Sequence, residues 1–400
     1  MRPLNIAFFS DVFLPKTDGV GVHIYNTSIQ LTRMGHRVFV VAPHYSLEIA
    51  PHLKEMGIDF YPVKVISPSF LYPQLYITKW KDKKLEDILR DNKVDLIHFH
   101  TPFTIGWLAL NLASKLRKPL FATYHTFFTE PEYLKVVHLN HLPSLSKILW
   151  KYSIYLHNRC ICVICPTHYT LKQLKEHRIK TNVEVVNNGI PLDKFSPQII
   201  PEENIEGLKK KYNLSQKFTF LYVGRLSLEK NLHLLIRAFI KFLNIFGEGK
   251  LLIVGDGPIR RNLENFTKRL RVEKSVIFLG KIENKRLPLS GIYQVSRAFV
   301  SLSTSETQNI SAIEAMAMGL PLVVTNSRGT KELVEDNGFC VNTLQDFVMA
   351  LKKLAEDQKL YQKMSQASLQ RSLLFNIENT SKKLIELYYR YIIKKGILHQ

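Results

Sequence analysis

The sequence has few cysteines and no long apolar run, and each absence excludes a class of protein. Only 4 cysteines occur in 400 residues, three of them crowded at Cys160, Cys162 and Cys165, which excludes a secreted disulfide framework. No window approaches the ~18 apolar residues of a membrane-spanning helix. The apolar run at the start of the sequence ends at Ser10, so it is too short to be the core of a signal peptide. A cytoplasmic protein is therefore predicted.

Acidic residues are also scarce. The chain has 34 Asp and Glu against 55 Lys and Arg, a net charge of +21. No acidic residue occurs between Glu132 and Glu176, although lysines and an arginine do. Such a field attracts the phosphates of nucleic acids, anionic bilayers or nucleotides. A lysine-rich solvated surface explains the charge equally well, so charge alone selects no partner.

Apolar runs of strand length alternate with amphipathic helical patterns through most of the chain. Strands are predicted at 5–9, 37–42, 95–100, 120–124, 161–165 and 183–186, then at 218–223, 250–254, 276–279, 298–302 and 322–324. Apolar strands separated by helices indicate parallel, doubly wound sheets. The expected fold class is α/β, with two Rossmann-like domains facing each other across a cleft and ligands at the carboxyl ends of the strands.

The alternation lapses once, after Gly189-Ile190-Pro191, where prolines and a charged run follow. This lapse predicts the domain boundaries. We expect an N-terminal domain at 1–190, a linker at 191–216, a second domain at 217–375 and a C-terminal helix at 376–400 that packs back on the first domain.

Two glycine-containing turns follow predicted strands. In the first domain, Gly19, Val20 and Gly21 open a helix, where backbone amides can approach a phosphate. The third glycine of a dinucleotide fingerprint is missing, and a plain turn is the alternative. In the second domain, the turn at Gly255-Asp256-Gly257-Pro258 is read equally well as a ligand loop or a structural turn.

Charged residues follow two strands of the second domain. Arg225 and Lys230 suit a diphosphate, since each charged hydrogen bond contributes about 1.5–3 kcal/mol. After a later strand, a loop carries Glu306 and a helix begins near Asn309, with Glu314 inside it. We expect both carboxylates and the free amides of Asn309 and Ile310 to face the space beyond the strand. A solvated helix face is the alternative for the two glutamates.

These residues carry a family resemblance. The pair Glu306 and Glu314 resembles the E-x7-E signature of retaining glycosyltransferases of family 4, which have the GT-B fold. The segment 224–231 resembles their donor-phosphate segment, and Asn188-Gly189-Ile190 and 123–126 resemble further elements. The S-E-T-Q sequence at 305–308 is similar to that of diacylglycerol glucosyltransferases. Asn309 stands where a glycine is expected, and asparagine tolerates a left-handed backbone.

The resemblance implies roles for these residues. Arg225 and Lys230 would neutralise the donor diphosphate in place of a metal, so no metal site and no cofactor are expected. The amides of Asn309, of Ile310 and of the loop at Gly19 and Val20 would hold the β-phosphate. The other implied contacts are Glu306 with the sugar hydroxyls, Glu314 with the ribose and His125 beside the transferred sugar. Asp256, in the glycine turn, is a further candidate for donor binding.

The implied reaction moves glucose from a UDP-sugar to 1,2-diacylglycerol, giving an α-glycosyl diacylglycerol at the inner face of the cell membrane. Other donors (UDP-galactose or GDP-mannose) and other acceptors (phosphatidylinositol or a glycan) remain alternatives. Basic and aromatic residues at 70–84 and 141–159 form two stripes that suit an anionic membrane surface. The alternative is that both stripes face the core of the domain. A nucleic-acid-binding protein is disfavoured because no recognition motif occurs, and a dehydrogenase because the glycine fingerprint is missing.

Overall fold

The computed structural model describes residues 2–15, 19–66, 77–130, 143–215, 218–283 and 285–394. The chain forms two compact units, one of Met1–Gly189 with Ile377–Gln400 and the other of Ile190–Asn376. Each unit is built on one parallel sheet flanked by helices, with seven strands in the first unit and six in the second. The predicted α/β class with two doubly wound domains is confirmed.

The first unit alternates strands and helices. Its strands are β1 (Asn5–Phe9), β2 (Arg37–Pro43), β3 (Ile58–Val63), β4 (Leu96–Phe99), β5 (Leu120–Thr123), β6 (Cys162–Cys165) and β7 (Asn182–Val185). Its first six helices are α1 (Gly19–Arg33), α2 (Ala50–Glu55), α3 (Lys83–Asp91), α4 (Thr104–Leu116), α5 (Pro143–His157) and α6 (His168–Glu176), with a 3₁₀ turn at His44–Ile49. The strand order is β3-β2-β1-β4-β5-β6-β7.

The second unit repeats this plan. Its strands are β8 (Thr219–Val223), β9 (Lys250–Val254), β10 (Val276–Gly280), β11 (Ala298–Ser301), β12 (Leu322–Thr325) and β13 (Gly338–Val341), in the order β10-β9-β8-β11-β12-β13. Its helices are α7 (Glu202–Tyr212), α8 (Leu232–Phe246), α9 (Arg260–Arg269), α10 (Ile310–Ala317), α11 (Leu344–Glu356) and α12 (Gln358–Ser372). Its 3₁₀ turns are Pro197–Ile199, Leu228–Lys230, Pro288–Ser290, Arg328–Leu333 and Leu373–Phe375.

The last described element, α13 (Ile377–Lys394), belongs to the first unit. It packs Leu384 and Tyr388 into the core beside Phe8 and Val38. Gly189 lies against the start of this helix, because a Cβ there would come within 2.2 Å of the Thr380 hydroxyl. The glycine of the Asn188-Gly189-Ile190 element is therefore needed for packing. None of the helices in the described part of the chain is both long and apolar enough to cross a membrane.

Three segments depart from the sequence pattern for physical reasons. The strand β3 was not predicted, since it contains Pro62 and lies at a sheet edge, where a missing amide is tolerated. The strand β13 is also an edge strand and was not predicted. Residues predicted as a linker at 191–216 lie in the second unit and include α7.

Each sheet changes its winding direction once. In the first sheet the chain steps outwards from β1 to β2 and β3, then returns to place β4 on the other side of β1. In the second sheet, β8 is flanked in the same way by β9 and β11. Loops diverge at such a reversal and leave a crevice beyond the carboxyl ends of the two central strands. Candidate sites are therefore expected after β1 and β4, and after β8 and β11.

The glycines at 255 and 257 provide a test of the packing at the second crevice. Gly255 has φ +138°, and a Cβ on it would lie 1.9 Å from the carbonyl oxygen of Gly224. We expect Gly255→Ala to reduce the free energy of unfolding by about 2 kcal/mol or more, because the β8 and β9 loops would be pushed apart. Urea unfolding followed by circular dichroism measures the change.

The matched control is Gly207→Ala in α7, where nothing lies within 4 Å of the added Cβ. This substitution should stabilise the protein by up to about 1 kcal/mol, because alanine is the better helix former. Equal effects of the two substitutions would contradict a packing role for Gly255.

Candidate active site

An ion pair joins the two central strands of the second unit at their carboxyl ends. Lys230 ends the 3₁₀ turn after β8, and Glu306 lies in the loop after β11. The Lys230 Nζ lies 2.7 Å from Glu306 Oε1, and the two side chains are only 19% and 16% exposed. Burial opposes the charge on Lys230, but the carboxylates of Glu306 and Glu229 outweigh it and hold the lysine pKa above its ordinary value.

Asn231 fixes the two loops relative to each other. Its backbone is left-handed, with φ +53°, and this conformation turns the chain from the 3₁₀ turn into α8. Its side-chain Nδ2 donates to the carbonyl oxygen of Leu302 at 3.1 Å and to Thr304 Oγ1 at 3.4 Å. No individual role was predicted for Asn231. An asparagine at the start of a helix was the available signal, because asparagine is enriched in left-handed backbone.

Arg225 lies in a loop held against the glycine turn after β9. The amide of Leu226 donates to the carbonyl oxygen of Asp256 at 3.0 Å, and the Tyr222 hydroxyl donates to the carbonyl oxygen of Arg225 at 3.1 Å. Asp256 itself lies 3.5 Å from Arg260 and accepts from the amide of Gly257 at 2.7 Å. The turn thus has a structural role, and the Asp256 carboxylate interacts with the first residue of α9, the helix that follows it.

The helix α10 begins at the predicted place, directly after Asn309. The Asn309 backbone is extended (φ −83°, ψ 98°), so it does not use the left-handed conformation considered from the sequence. Its Oδ1 instead accepts from the amide of Ala312 at 3.2 Å and caps the helix. Amides in the first turn of a helix have no acceptor within the helix, and those of α10, beginning with Ile310, attract an anion.

Glu314 lies inside α10 and is 8% exposed. Burial raises the pKa of its carboxyl to about 8. Burial also raises the pKa of the Tyr293 hydroxyl, and a negative charge on Glu314 would raise it further. Because its pKa lies above 7, Glu314 is mainly protonated at neutral pH and can both donate and accept a hydrogen bond.

Asp11 occupies the crevice of the first unit, directly after β1. Its carboxylate accepts from Thr101 Oγ1 at 2.6 Å, from the Ile105 amide at 3.1 Å and from Thr104 Oγ1 at 3.3 Å. These bonds connect β1 to the beginning of α4. Burial raises the Asp11 pKa to about 7, although the hydrogen bonds favour the ionised form and act against burial. Asp11 therefore ties the loop after β1 to α4.

Four histidines converge at the same edge of the first sheet, namely His23 on α1, His98 in β4, His100 after β4 and His125 after β5. Nδ1 of His100 lies 2.9 Å from Nε2 of His125. The rings of His98 and His100 stack at 4.3 Å, and those of His23 and His125 lie 4.9 Å apart. Burial is the main cause that lowers the pKa of all four imidazoles, to about 4 for His23 and about 3 for His98.

Thus the predicted residues fall into two groups, one in each unit. In the second unit, Lys230 and Glu306 are in direct contact, whereas Asp256 pairs with Arg260. In the first unit, His125 belongs to a histidine cluster that the sequence did not reveal. Gly19 and Val20 open α1, and the preceding residues 16–18 lie outside the described residues.

Comparison with known proteins identifies the two units. Residues 17–194 match Glycosyltransferase Family 4, and residues 204–371 match Glycosyl transferases group 1. A solved structure titled as an Anabaena protein, HepE, in complex with UDP and glucose has the same fold. Its TM-score is 0.76 at 19% identity, and the match covers 96% of this chain and 99% of that one.

Three curated relatives match over most of their length. The chain is 29% identical over 338 residues to an alpha-monoglucosyldiacylglycerol synthase of Streptococcus pneumoniae, covering 84% of this chain and 74% of that one. It is 26% identical over 366 residues to the enzyme of that name from Acholeplasma laidlawii, covering 89% of each chain. It is 30% identical over 345 residues to an uncharacterized glycosyltransferase of Methanocaldococcus jannaschii, covering 84% and 85%.

These matches agree with the fold. The chain belongs to the glycosyltransferases that combine a family 4 domain with a group 1 domain.

Proposed function

We propose that this glycosyltransferase is a retaining, metal-independent hexosyltransferase that moves glucose from UDP-glucose to 1,2-diacylglycerol. The product is an α-glucosyl diacylglycerol. The observation that carries the proposal is the Lys230–Glu306 pair at the strand ends of the second unit. The choice of donor and acceptor is supported by the two relatives named alpha-monoglucosyldiacylglycerol synthase.

The leaving group of this reaction is a nucleoside diphosphate, and its departure creates negative charge. Lys230 remains protonated, because neighbouring carboxylates hold its pKa above the ordinary value. Together with Arg225 and the first amides of α10, it offers fixed positive charge and hydrogen-bond donors to that diphosphate. Donors held in place before the reaction lower the barrier without further reorganisation. In this proposal they take the place of a metal ion.

Glu306 changes partner when the donor binds. In the ligand-free protein its Oε1 accepts from Lys230 at 2.7 Å. A bound diphosphate attracts the same lysine, which leaves the carboxylate oxygens able to accept from sugar hydroxyls. The ion pair thus holds both side chains close to their working positions before the donor arrives. Glu314, protonated at neutral pH, would bond the ribose from inside α10.

Chemistry at the anomeric carbon follows a front-face course in this proposal. The acceptor hydroxyl oxygen bonds the anomeric carbon on the face from which the diphosphate leaves, and the hydroxyl proton passes to a phosphate oxygen. The C–O bond to the β-phosphate breaks, and the α configuration is retained. His125 lies beside the sugar as an uncharged imidazole, since burial lowers its pKa.

A membrane acceptor requires a membrane-facing surface, and the first unit has a suitable one. Trp80 is 65% exposed between the exposed lysines Lys79 and Lys81. These three residues line an open cavity of about 500 Å³ together with Thr78, Thr104 and Trp107. Aromatic and basic side chains of this kind favour the headgroup region of an anionic bilayer.

The same surface continues onto α5. Trp107 donates from Nε1 to the Tyr152 hydroxyl at 3.0 Å, and its ring lies 6.1 Å from that of Tyr155. Tyr155 is exposed on a helix face that also carries Lys147, Ile148 and Lys151. The two segments that the sequence suggested for membrane contact thus meet at Trp107. We call this surface, formed by residues 79–81, Trp107 and the exposed face of α5, the Trp80 face.

The predicted stripes are divided between core and surface. Trp150 of α5 is buried and stacks on Tyr124, with ring centroids 6.1 Å apart, so it is not available for membrane contact. Ile148 and Tyr155 are exposed at 58% and 50%. Residues 67–76 and 131–142, which include Tyr72, Tyr76 and Leu142, lie outside the described residues. The membrane proposal therefore depends on the Trp80 face alone.

Product analysis tests the proposal. The purified protein is incubated with diacylglycerol in phosphatidylglycerol vesicles and, separately, with UDP-glucose, UDP-galactose or GDP-mannose. Mass spectrometry and the anomeric proton coupling identify the lipid product. We expect an α-glucosyl diacylglycerol from UDP-glucose alone. A lipid product formed from UDP-galactose or GDP-mannose instead would show that the transferred sugar is not glucose. Donor hydrolysis without a lipid product would contradict the diacylglycerol acceptor.

Substitution of the ion pair tests the site. Lys230→Ala and Glu306→Gln should each lower kcat at least ~100-fold, because each removes a group that stabilises the transition state. The matched controls are Lys209→Ala and Glu206→Gln on α7, since these residues form an exposed ion pair at 2.8 Å in the same unit. Circular dichroism should show every variant folded. Near-normal kcat in folded Lys230→Ala or Glu306→Gln protein would rule out this site.

Vesicle flotation tests the Trp80 face. Wild-type protein should float with phosphatidylglycerol vesicles at low salt and remain in solution with phosphatidylcholine vesicles. A Lys79→Glu, Trp80→Ala, Lys81→Glu variant should bind at least tenfold more weakly, since each lysine near an anionic surface contributes about 1 kcal/mol. Lys172→Glu, on the exposed side of α6, is the control. Equal flotation of both variants would exclude the Trp80 face as the surface that binds the membrane.

A further inference from the structure

The histidine cluster of the first unit has more ring nitrogens than hydrogen-bond partners. His98 is saturated, because Nδ1 lies 2.5 Å from the Tyr388 hydroxyl and Nε2 lies 2.8 Å from Thr123 Oγ1. By contrast, His23 Nδ1 and His100 Nε2 are buried and have no hydrogen-bond partner among the described residues. His100 itself is 1% exposed. A buried polar atom without a partner is costly, so these nitrogens point to a ligand that the cluster can bind.

The geometry selects the kind of ligand. One ring nitrogen from each of His23, His100 and His125 lies within 4.8 Å of the others. In a tetrahedral zinc site with Zn–N bonds of 2.0–2.1 Å, ligand nitrogens are about 3.3 Å apart. Nδ1 of His100 lies 2.9 Å from Nε2 of His125, so these two rings are close enough for one ion to contact both.

We propose that His23, His100 and His125 form a binding site for a borderline divalent transition-metal ion, for which Zn²⁺ is the reference. Three imidazoles from different elements leave a fourth position for water. The stacking of His98 on His100 at 4.3 Å supports the orientation of one ligand ring. Bonds from the metal would satisfy the buried nitrogens that have no other partner.

The same residues exclude hard cations. Mg²⁺ and Ca²⁺ require oxygen ligands, whereas the three converging side chains are all imidazoles. The Asp11 carboxylate, which also lies at this edge of the sheet, already accepts from Thr101, Thr104 and Ile105. Uncharged imidazole is the form that coordinates metals, and burial favours that form here.

A metal at this site has a consequence for activity, which rests on the proposed function. His125 is the residue proposed to lie beside the transferred sugar. An ion bound through its ring would occupy that position, so Zn²⁺ should inhibit transfer and a chelator should restore it. Metal binding itself does not depend on the proposed reaction and is measured separately.

The experiment titrates metal-free full-length protein with ZnCl₂ by calorimetry in a non-coordinating buffer, and with CoCl₂ by visible absorption. We expect one Zn²⁺ per chain at the tightest site and the intense d–d bands of tetrahedral Co²⁺. His23→Ala and His100→Ala should each weaken this site at least tenfold. The control is His44→Ala, because His44 is an exposed histidine of the same unit, and it should bind as wild type. Thermal melting without metal shows that each variant is folded.

Three results would overturn the proposal: the absence of saturable zinc binding, tight binding that survives both cluster substitutions, or octahedral Co²⁺ spectra in the wild type. If His23→Ala fails to fold, His23→Gln retains a polar side chain and provides the same comparison. MgCl₂ serves as the hard-cation control and should show no binding at the concentrations that saturate with Zn²⁺. These binding measurements involve no sugar donor. They therefore test the metal site even if the transferase assay fails.

Discussion

The reversal of winding direction in the middle of each parallel sheet is the constraint on which the rest of the structure depends. Beyond β8 and β11 the loops diverge, and a crevice forms that the sheet itself cannot fill. Lys230 and Glu306 follow those two strands and meet across it at 2.7 Å. Beyond β1 and β4 the same topology brings Asp11 together with Thr101, and His98 and His100 lie at the carboxyl end of β4.

The two crevices differ in charge, and this difference suits two different tasks. The second unit holds a partly buried cation paired with a carboxylate, which is a suitable resting state for the proposed exchange of Glu306 for the donor diphosphate. The first unit holds uncharged imidazoles and a carboxyl whose pKa burial raises to about 7. Such a surface can bind hydroxyl groups or a borderline transition-metal ion, but it offers little to an anion. The Trp80 face adds basic and aromatic residues to the same unit.

Much of the fold could be predicted from the sequence because buried parallel strands are continuous apolar runs. The strands β1 and β9 were predicted with the bounds they have. The edge strands β3 and β13 were not, because Pro62 interrupts one and the other begins with a glycine. Edge strands tolerate such residues, so the pattern there was too weak.

The second-unit site was accessible from sequence because its residues follow strand ends in short, recognisable segments. To predict the contact between Lys230 and Glu306, the order of the strands in the sheet has to be known, and that order cannot be read from the sequence. The histidine cluster was inaccessible for the same reason, since His23, His100 and His125 come from three separate elements. The extended backbone of Asn309 depends on the cap it forms with Ala312, a local contact that the residue type alone does not determine.

A crystal structure of the protein with UDP-glucose bound tests the role of the Lys230–Glu306 pair most directly. We expect the diphosphate to contact Lys230 Nζ and the first amides of α10, and Glu306 to have moved from Lys230 to the sugar hydroxyls. A nucleotide bound elsewhere, with the Lys230–Glu306 ion pair intact, would show that this pair is not the donor site.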